Sequence, residues 1–362
     1  MNKIIFPGSF NPFHIGHLFM AEVASKKYDA DVILMPAVIS VWKSESVSFE
    51  HKVRMVELSI KDKPRFSVSR YESTLDSDVN YTVNTLRHFV KEFPNDKFFL
   101  LIGEDQVNEF HRWKEADEIA KLVQIIYYSR NGYIENENIH RFHMEIVEGD
   151  EINISSTEIR NMNGLDYLNR DVLRYIEDNR LYYFNIISKY IKDKRIKHSI
   201  SVANLAYDIA LNNNIENPIR AYIAGLVHDI GKEIPLDESE SLMKEYFKEY
   251  YDLPLFAYHQ FLGTIIAKKE FKVVDEETID AIMFHATGKA NMSPLGKIIY
   301  AADKIEPTRG FDSSALIKSC MDDYEKGFVE VLKANKEYLT KKKGPVSIEN
   351  RLTLDCFKCY LD

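Results

Sequence analysis

The feature that most constrains this chain is a change of hydrophobic period near residue 184. Before it, short apolar runs of strand length alternate with stretches of helical spacing. Residues 4–6, 31–35, 66–69, 97–102 and 123–128 read as strands, and residues 18–24, 49–60 and 81–93 as helices. Such alternation predicts an α/β domain built on a doubly wound, Rossmann-like parallel sheet, with ligands beyond the carboxyl ends of its strands. After the change only helical periodicity remains. Ile219, Tyr222, Ile223, Leu226, Val227 and Ile230 fall at spacings of three and four, one broad helix face, and Leu295, Ile298, Ile299 and Ala302 repeat the pattern. The second half is therefore expected to be all-α. The expected domains are residues 1–183 and 184–362, with no Gly/Ser- or Pro-rich tether between them and a largely helical join over residues 181–194.

Composition excludes several functions. The formal net charge of −9, without a long basic run, argues against a nucleic-acid partner. No apolar run is long enough to span a bilayer, and residues 1–6 are too short for a signal segment, so a cytoplasmic enzyme is expected. Of three cysteines, Cys356 and Cys359 form one C-x-x-C. Without partner ligands this pair reads as reduced thiols, not as a metal or redox site.

The strongest local signal is Gly8-Ser9-Phe10-Asn11-Pro12-Phe13-His14-Ile15-Gly16-His17, directly after the first strand and at the start of a helix. Glycine lets backbone approach a phosphate, and a helix N-terminus supplies free N–H groups and the positive end of a dipole. His14 and His17, three apart, would share a helix face and donate hydrogen bonds to phosphoryl oxygens as charge develops. The plainer alternative is a capped turn with two surface histidines. A second candidate anion clamp is Ser155-Ser156-Thr157-Glu158-Ile159-Arg160, which has the form of a capping box, Ser155 to Glu158, followed by an arginine.

Together these segments resemble the nucleotidyltransferase superfamily with the G-x-F-N-P-x-H-x-G-H motif. Lys43, His51-Lys52-x-Arg54-Met55, Tyr81-Thr82-x-x-Thr85-Leu86, Ile102-Gly103-x-Asp105, Trp113 and Arg130-x-Gly132 extend the likeness to bacterial nicotinate-nucleotide adenylyltransferases over residues 2–183. The resemblance implies transfer of an adenylyl group from ATP, with Mg²⁺, to nicotinate mononucleotide, giving deamido-NAD and pyrophosphate. It implies that His14 and His17 meet the reacting phosphates, with Gly8, Ser9, Phe10, Ser155 and Ser156 lining the nucleotide site. It further implies that Lys43 and Arg160 neutralise charge, that Thr85 and Trp113 seat the pyridine, and that Gly103 and Asp105 hold the adenosine. In-line transfer needs positioning and charge neutralisation more than covalent help. Two departures fall near the expected pyridine site: Ser40-Val41-Trp42 precedes Lys43 where the family has Pro-Pro-His, and Asn84 stands where it often has aspartate.

In the second half, His198, His228, His259 and His285 each fall on or near an expected helix. His228-Asp229 is an adjacent pair, and Asp303 lies amid Ala301-Ala302 and an apolar face. A buried carboxylate there needs a partner, and a metal would supply one; nitrogen with carboxylate ligands suits iron, manganese or zinc. The order His…His-Asp…Asp resembles the HD phosphohydrolase pattern. Residues near His285 and Asp303 resemble bacterial HD-domain hydrolases that split diadenosine tetraphosphate symmetrically into two ADP. That resemblance implies two ions, iron in kind, one on His198, His228, Asp229 and Asp303 and one on His259 and His285 with Asp229 bridging. Lys232, one turn after His228, and Arg309 would face phosphates. A nucleotide-sensing module, or a nucleotidase of other specificity, are the competing readings. The sequence is silent on oligomeric state.

Overall fold

The computed structural model describes residues 1–38, 47–75, 80–129, 134–150, 152–342 and 350–362. The chain divides into two compact units, Met1–Arg160 with Gly164–Leu181, and Asn161–Asn163 with Tyr182–Asp362.

The first unit runs β1 (Asn2–Gly8), α1 (Ile15–Tyr28), β2 (Ala30–Pro36), α2 (Phe49–Ile60), β3 (Phe66–Val68), α3 (Thr82–Glu92), β4 (Lys97–Gly103), α4 (Glu104–Val107), α5 (Ala116–Leu122), β5 (Gln124–Ser129), α6 (Glu137–Arg141), β6 (Glu145–Glu148), α7 (Ser156–Arg160) and α8 (Arg170–Asp178). All strand pairs are parallel, in the order β3-β2-β1-β4-β5-β6. Strand residues alternate between two cores, as a sheet covered on both faces requires. Ile4, Phe6, Val32, Leu34, Phe99 and Leu101 pack on one side, and Ile5, Met35, Leu100 and Ile102 on the other. The strand order reverses between β1 and β4. Their ladder ends at Ile5↔Leu100 although the strands run on to Gly8 and Gly103. The two carboxyl ends therefore part, and a crevice opens where such sheets place ligands.

Sequence reading found five of these strands and missed β6. Its four residues, Glu-Ile-Val-Glu, bury one side chain fully and offer little alternation to detect. The join is also less helical than expected. It holds only the short α9 (Phe184–Ile187) before α10 begins at Asp193, with turns between.

The second unit is helical among the described residues: α10 (Asp193–Asn212), α11 (Ile219–Val227), α12 (Leu236–Tyr246), α13 (Tyr258–Phe271), α14 (Glu276–Met283), α15 (Pro294–Ile305), α16 (Ser314–Asp322), α17 (Tyr324–Lys342) and α18 (Arg351–Leu361). Where sequence periodicity gave α11 one apolar face, the helix is buried nearly all round, Ala221, Ala224 and Gly225 included. A helix apolar on every side belongs in a core. Its neighbours come close because small residues meet: a Cβ added at Gly225 would lie 2.7 Å from Ala203 Cα on α10. Likewise a Cβ at Gly231 would lie 2.6 Å from His259 O and 2.7 Å from Gly263 N on α13. Cys356 is buried and Cys359 exposed on α18, and burial pushes the Cys356 thiol up to about 12. No described helix is long and apolar enough to cross a membrane.

Gly225→Ala forces α10 and α11 apart against backbone that cannot yield as a side chain would. The expected loss is about 1–3 kcal/mol from overpacking. Denaturant titration of the full chain, followed by far-ultraviolet circular dichroism, checks it; an unchanged midpoint would show that the helix pair has slack.

Candidate functional sites

The crevice between β1 and β4 is a cavity of about 680 Å³. Its lining brings together Gly8, Ser9, Phe10, His14, His17, Gly103, Asp105, Ser155 and Ser156, from three stretches of chain. His14 is the residue before α1, and His17 lies in the first turn. Their rings stack with centroids 3.7 Å apart. The His14 backbone N–H donates to His17 Nδ1 at 3.3 Å. With Nδ1 accepting, a neutral His17 carries its proton on Nε2, as a donor. Phe10 and Phe13 hold the ring, edge-on at 5.2 Å and stacked at 5.4 Å. Phe10 itself takes φ of 44°, the left-handed region that a bulky residue rarely enters. Gly8 is required beneath it, since a Cβ there would meet the Phe10 ring at 2.4 Å. Gly103 plays the same part for Asp105, whose Oδ1 would be 2.5 Å from an added Cβ. Asp105 lies inside the first turn of α4, with Gly103 at the cap position.

The capping box is present: Ser155 N–H donates to Glu158 Oε2 at 2.8 Å and Glu158 N–H to Ser155 Oγ at 3.2 Å. The helix it opens is clamped onto the first motif. Ser156 Oγ donates to Pro12 O at 3.0 Å, and Arg160 donates to Asn11 O at 2.7 Å. Arg160 also donates to Thr157 Oγ1 at 2.9 Å. Part of its fork therefore braces the loop.

Thr85 and Trp113 are not among the cavity's lining residues. Trp113 packs on the core beside Phe110, centroids 5.0 Å apart. Thr85 is buried on α3 and donates to Glu72 Oε1 at 3.4 Å. Lys43, Trp42, Arg130 and Gly132 lie outside the described residues.

The second site lies in the helical unit. His198 comes from α10, His228 and Asp229 from the end of α11, His259 from α13, His285 from just beyond α14, and Asp303 from α15. Three sets drawn from them, His198–His228–Asp229, His228–His285–Asp303 and Asp229–His259–His285, have possible ligand atoms within 4.8 Å of one another. Asp229 faces both ways. Its Oδ1 is 3.1 Å from His259 Nε2 and 3.5 Å from His285 Nε2, and its Oδ2 is 3.9 Å from His228 Nε2. Asp303 Oδ1 lies 3.2 Å from His198 Nε2 and 3.5 Å from His228 Nε2. His228, His259 and His285 present Nε2 inward because each Nδ1 bonds a main-chain oxygen, of Gly225, Phe256 and Ile282.

Ionisation follows from these contacts. Burial works against charge on Asp229 and Asp303, yet the histidines around both, and Lys304 beside Asp303, hold the two carboxyls well below the usual range. Burial lowers His259, and His285 to about 3. Neutral imidazoles beside ionised carboxylates are the protonation state that metal ligation needs. Among the described residues His228 Nε2 is buried without a hydrogen-bond partner, which an ion would satisfy. His198 differs: burial would lower it, but hydrogen bonds to Asp303 and Glu306 raise it to about 9, so ligation at Nε2 must displace a proton. The donor set fits a metal.

Lys232 and Arg309 reach this centre and turn towards its acids. Lys232 Nζ is 3.1 Å from His259 Nε2 and 3.8 Å from Asp229 Oδ1, and Arg309 pairs with Asp303. Three contributors escaped sequence reading. Arg195 donates to Asp229 Oδ2 at 3.0 Å, Lys304 to Asp303 Oδ2 at 2.6 Å, and Glu306 accepts from His198 Nδ1 at 2.9 Å. The signal was spacing: Arg195 is one helical turn before His198, and Glu306 three residues beyond Asp303.

Residues 5–162 match the cytidylyltransferase-like family, and residues 195–308 match the HD domain. The class is thus a nucleotidyltransferase followed by an HD domain. Over 91% of this chain and 96% of its own length, a Mycoplasma genitalium protein named "Probable nicotinate-nucleotide adenylyltransferase/Ap4A hydrolase" is 29% identical. An Aquifex aeolicus protein named "Probable nicotinate-nucleotide adenylyltransferase" is 32% identical over 43% of this chain and 99% of its own. A solved HD superfamily hydrolase from Clostridium acetobutylicum is 31% identical, covering 52% of this chain and 96% of that one, with a TM-score of 0.44. The chain belongs to the nicotinate-nucleotide adenylyltransferase family, in the form that continues into an HD domain.

Glu72 carries a prediction. Burial raises its carboxyl from 4.5 to about 7, against the hydrogen bonds from Thr85 and the Val38 backbone. A raised carboxyl means the folded state holds the proton more tightly, so stability falls as pH climbs from 4.5 through about 7. Glu72→Gln cannot ionise and escapes that loss. Its melting temperature relative to wild type is expected to rise between about pH 5 and about pH 8; a constant difference would show that Glu72 is not desolvated.

Proposed function

We propose that the chain is a bifunctional enzyme. The first unit transfers an adenylyl group from ATP, with Mg²⁺, to nicotinate mononucleotide, releasing pyrophosphate and giving deamido-NAD. The second hydrolyses diadenosine tetraphosphate symmetrically to two ADP, with a pair of metal ions, iron in kind. The setting is the cytoplasm. For the first activity the carrying observation is the convergence of Gly8, His14, His17, Gly103, Asp105, Ser155 and Ser156 on one cavity at the strand-order switch. For the second it is the cluster of four histidines and two aspartates. The names of the Mycoplasma relative support the pairing of the two.

In the first site the α1 N-terminus and the Gly8–Phe10 backbone receive the triphosphate. His17 donates from Nε2 to a phosphoryl oxygen, its ring held in place before substrate arrives. Asp105 and Gly103 take the adenosine side. Ser155 and Ser156 present the second helix N-terminus, while Arg160 and Lys43 offset charge. Thr85 and Trp113 serve the pyridine side. In the second site His198, His228, Asp229 and Asp303 would hold one ion, and His259, His285 and Asp229 the other. Bound there, the ions supply Lewis acidity and an activated water for attack at phosphorus. Lys232 and Arg309 leave their carboxylates to meet the polyphosphate as it enters.

His17→Ala is expected to slow adenylyl transfer by about a hundred- to a thousand-fold, with hydrolysis by the same preparation unchanged. Loss of both activities would mean that His17 supports folding. Nicotinate mononucleotide is expected to give the higher kcat/KM against the nicotinamide form; equal values would remove the pyridine assignment. Asp229→Ala should lose both ions and His285→Ala one preferentially, measured by elemental analysis. In ¹⁸O-labelled water, ADP should be the only nucleotide product, with label in one of the two molecules formed. AMP with ATP would overturn the symmetrical reading.

A further inference from the structure

His198 is oriented differently from the other three histidines. His228 sits at the C-terminal end of α11, His285 just past α14, and His259 directly after a turn at the start of α13. The last carbonyls of a helix lack intrahelical partners, and the Phe256 carbonyl lies ahead of the first one that α13 uses. Each ring takes one through Nδ1, at 2.6 Å, 2.8 Å and 2.7 Å respectively. His198 lies inside α10, where carbonyls are already accepting from helix N–H groups. Its own helix therefore offers no spare main-chain oxygen to fix its ring. A side chain must do so, and Glu306 does: its Oε1 accepts from His198 Nδ1 at 2.9 Å.

Glu306 is suited to that task. It is 1% exposed, and the turn after α15 immobilises it. Thr308 N–H donates to Oε2 at 2.6 Å and Thr308 Oγ1 to Oε1 at 2.7 Å. An ionised carboxylate only accepts, so it obliges His198 to keep its proton on Nδ1, and the proton that an ion would displace is the one on Nε2, where Asp303 Oδ1 stands 3.2 Å away.

We infer that Glu306 is a positioning residue of the proposed metal centre, which selects the Nδ1–H tautomer of His198 and so makes its Nε2 a ligand. This rests on the metal-centre reading above. Glutamine tests it, because the exchange keeps size and can still accept from Thr308 N–H, but turns an NH₂ group towards His198. The ring must then accept at Nδ1 and carry its proton on Nε2, where it blocks ligation.

The experiment titrates the full-length chain with Mn²⁺, measuring free ion after equilibrium dialysis, alongside melting in chelator and long-range ¹H–¹⁵N spectra of the histidines. Glu306→Gln is expected to bind one of the ions about 10–100-fold more weakly, with an unchanged melting temperature in chelator and a His198 ring switched to Nε2–H. Wild-type Mn²⁺ affinity in that variant would overturn the inference. If Glu306→Gln does not fold, Glu306→Asp decides: a retained Nδ1–H tautomer with affinity between wild type and alanine supports the role, and affinity equal to that of Glu306→Ala overturns it. A wild-type chain that binds no Mn²⁺, Fe²⁺ or Zn²⁺ fails the metal-centre reading and the inference with it.

Discussion

Two carboxylates in the interior of the helical unit, Asp229 and Asp303, determine what surrounds them. Each is nearly inaccessible to water, and an ionised carboxylate there costs several kcal/mol unless it is paired. The fold answers by bringing Arg195 and His198 from one helix, His228 and Lys232 from the end of another, and His259, His285, Lys304 and Arg309 from four more segments onto these two groups. The approach is possible because the helices carrying them pack closely at Gly225 against Ala203 and at Gly231 against Gly263. The glycine three residues after His228 therefore belongs to the site as much as the histidines and aspartates do. Any cation that binds here stabilises the fold through the same charges.

The first unit solves a different problem. Its cavity depends on two strands that separate at their carboxyl ends, and on loops too short to drift. Gly8 lets Phe10 fold back beneath the strand end, Phe10 and Phe13 box His17, and Ser156 and Arg160 tie a distant segment to the carbonyls of Pro12 and Asn11. Arg160, expected as a phosphate clamp, spends at least one donor on that brace. A single guanidinium has five donors and can do both.

Much of this was legible in the sequence. Apolar runs of strand length alternating with helical spacing marked five strands, because strands buried on both faces read as continuous apolar runs; β6, Glu-Ile-Val-Glu, leaves no such run. The convergence of the four histidines and two aspartates was legible because histidine beside aspartate in an apolar helix has few structural explanations. What stayed hidden was the supporting layer. Glu306 and Lys304 look like ordinary solvated charges in a one-dimensional reading, and only the fold shows that they end on His198 and Asp303. The same limit explains Lys232 and Arg309. Spacing from His228 placed Lys232 at the centre and the resemblance around Asp303 placed Arg309 there, but neither set them against its carboxylates.

The two sites also differ in how they carry charge on a chain whose formal net charge is −9. The first relies on fixed donors: helix N-termini, glycine backbone and a preorganised imidazole, which need no counter-charge when empty. The second stores cations against acids, Arg195 and Lys232 on Asp229 and Lys304 and Arg309 on Asp303. Stored in this way they are neutralised until a stronger partner arrives. On the proposed metal-centre reading, a divalent ion claiming the carboxylates would free the same arginines and lysines for phosphate. Net charge says nothing about either arrangement; the local pairing does.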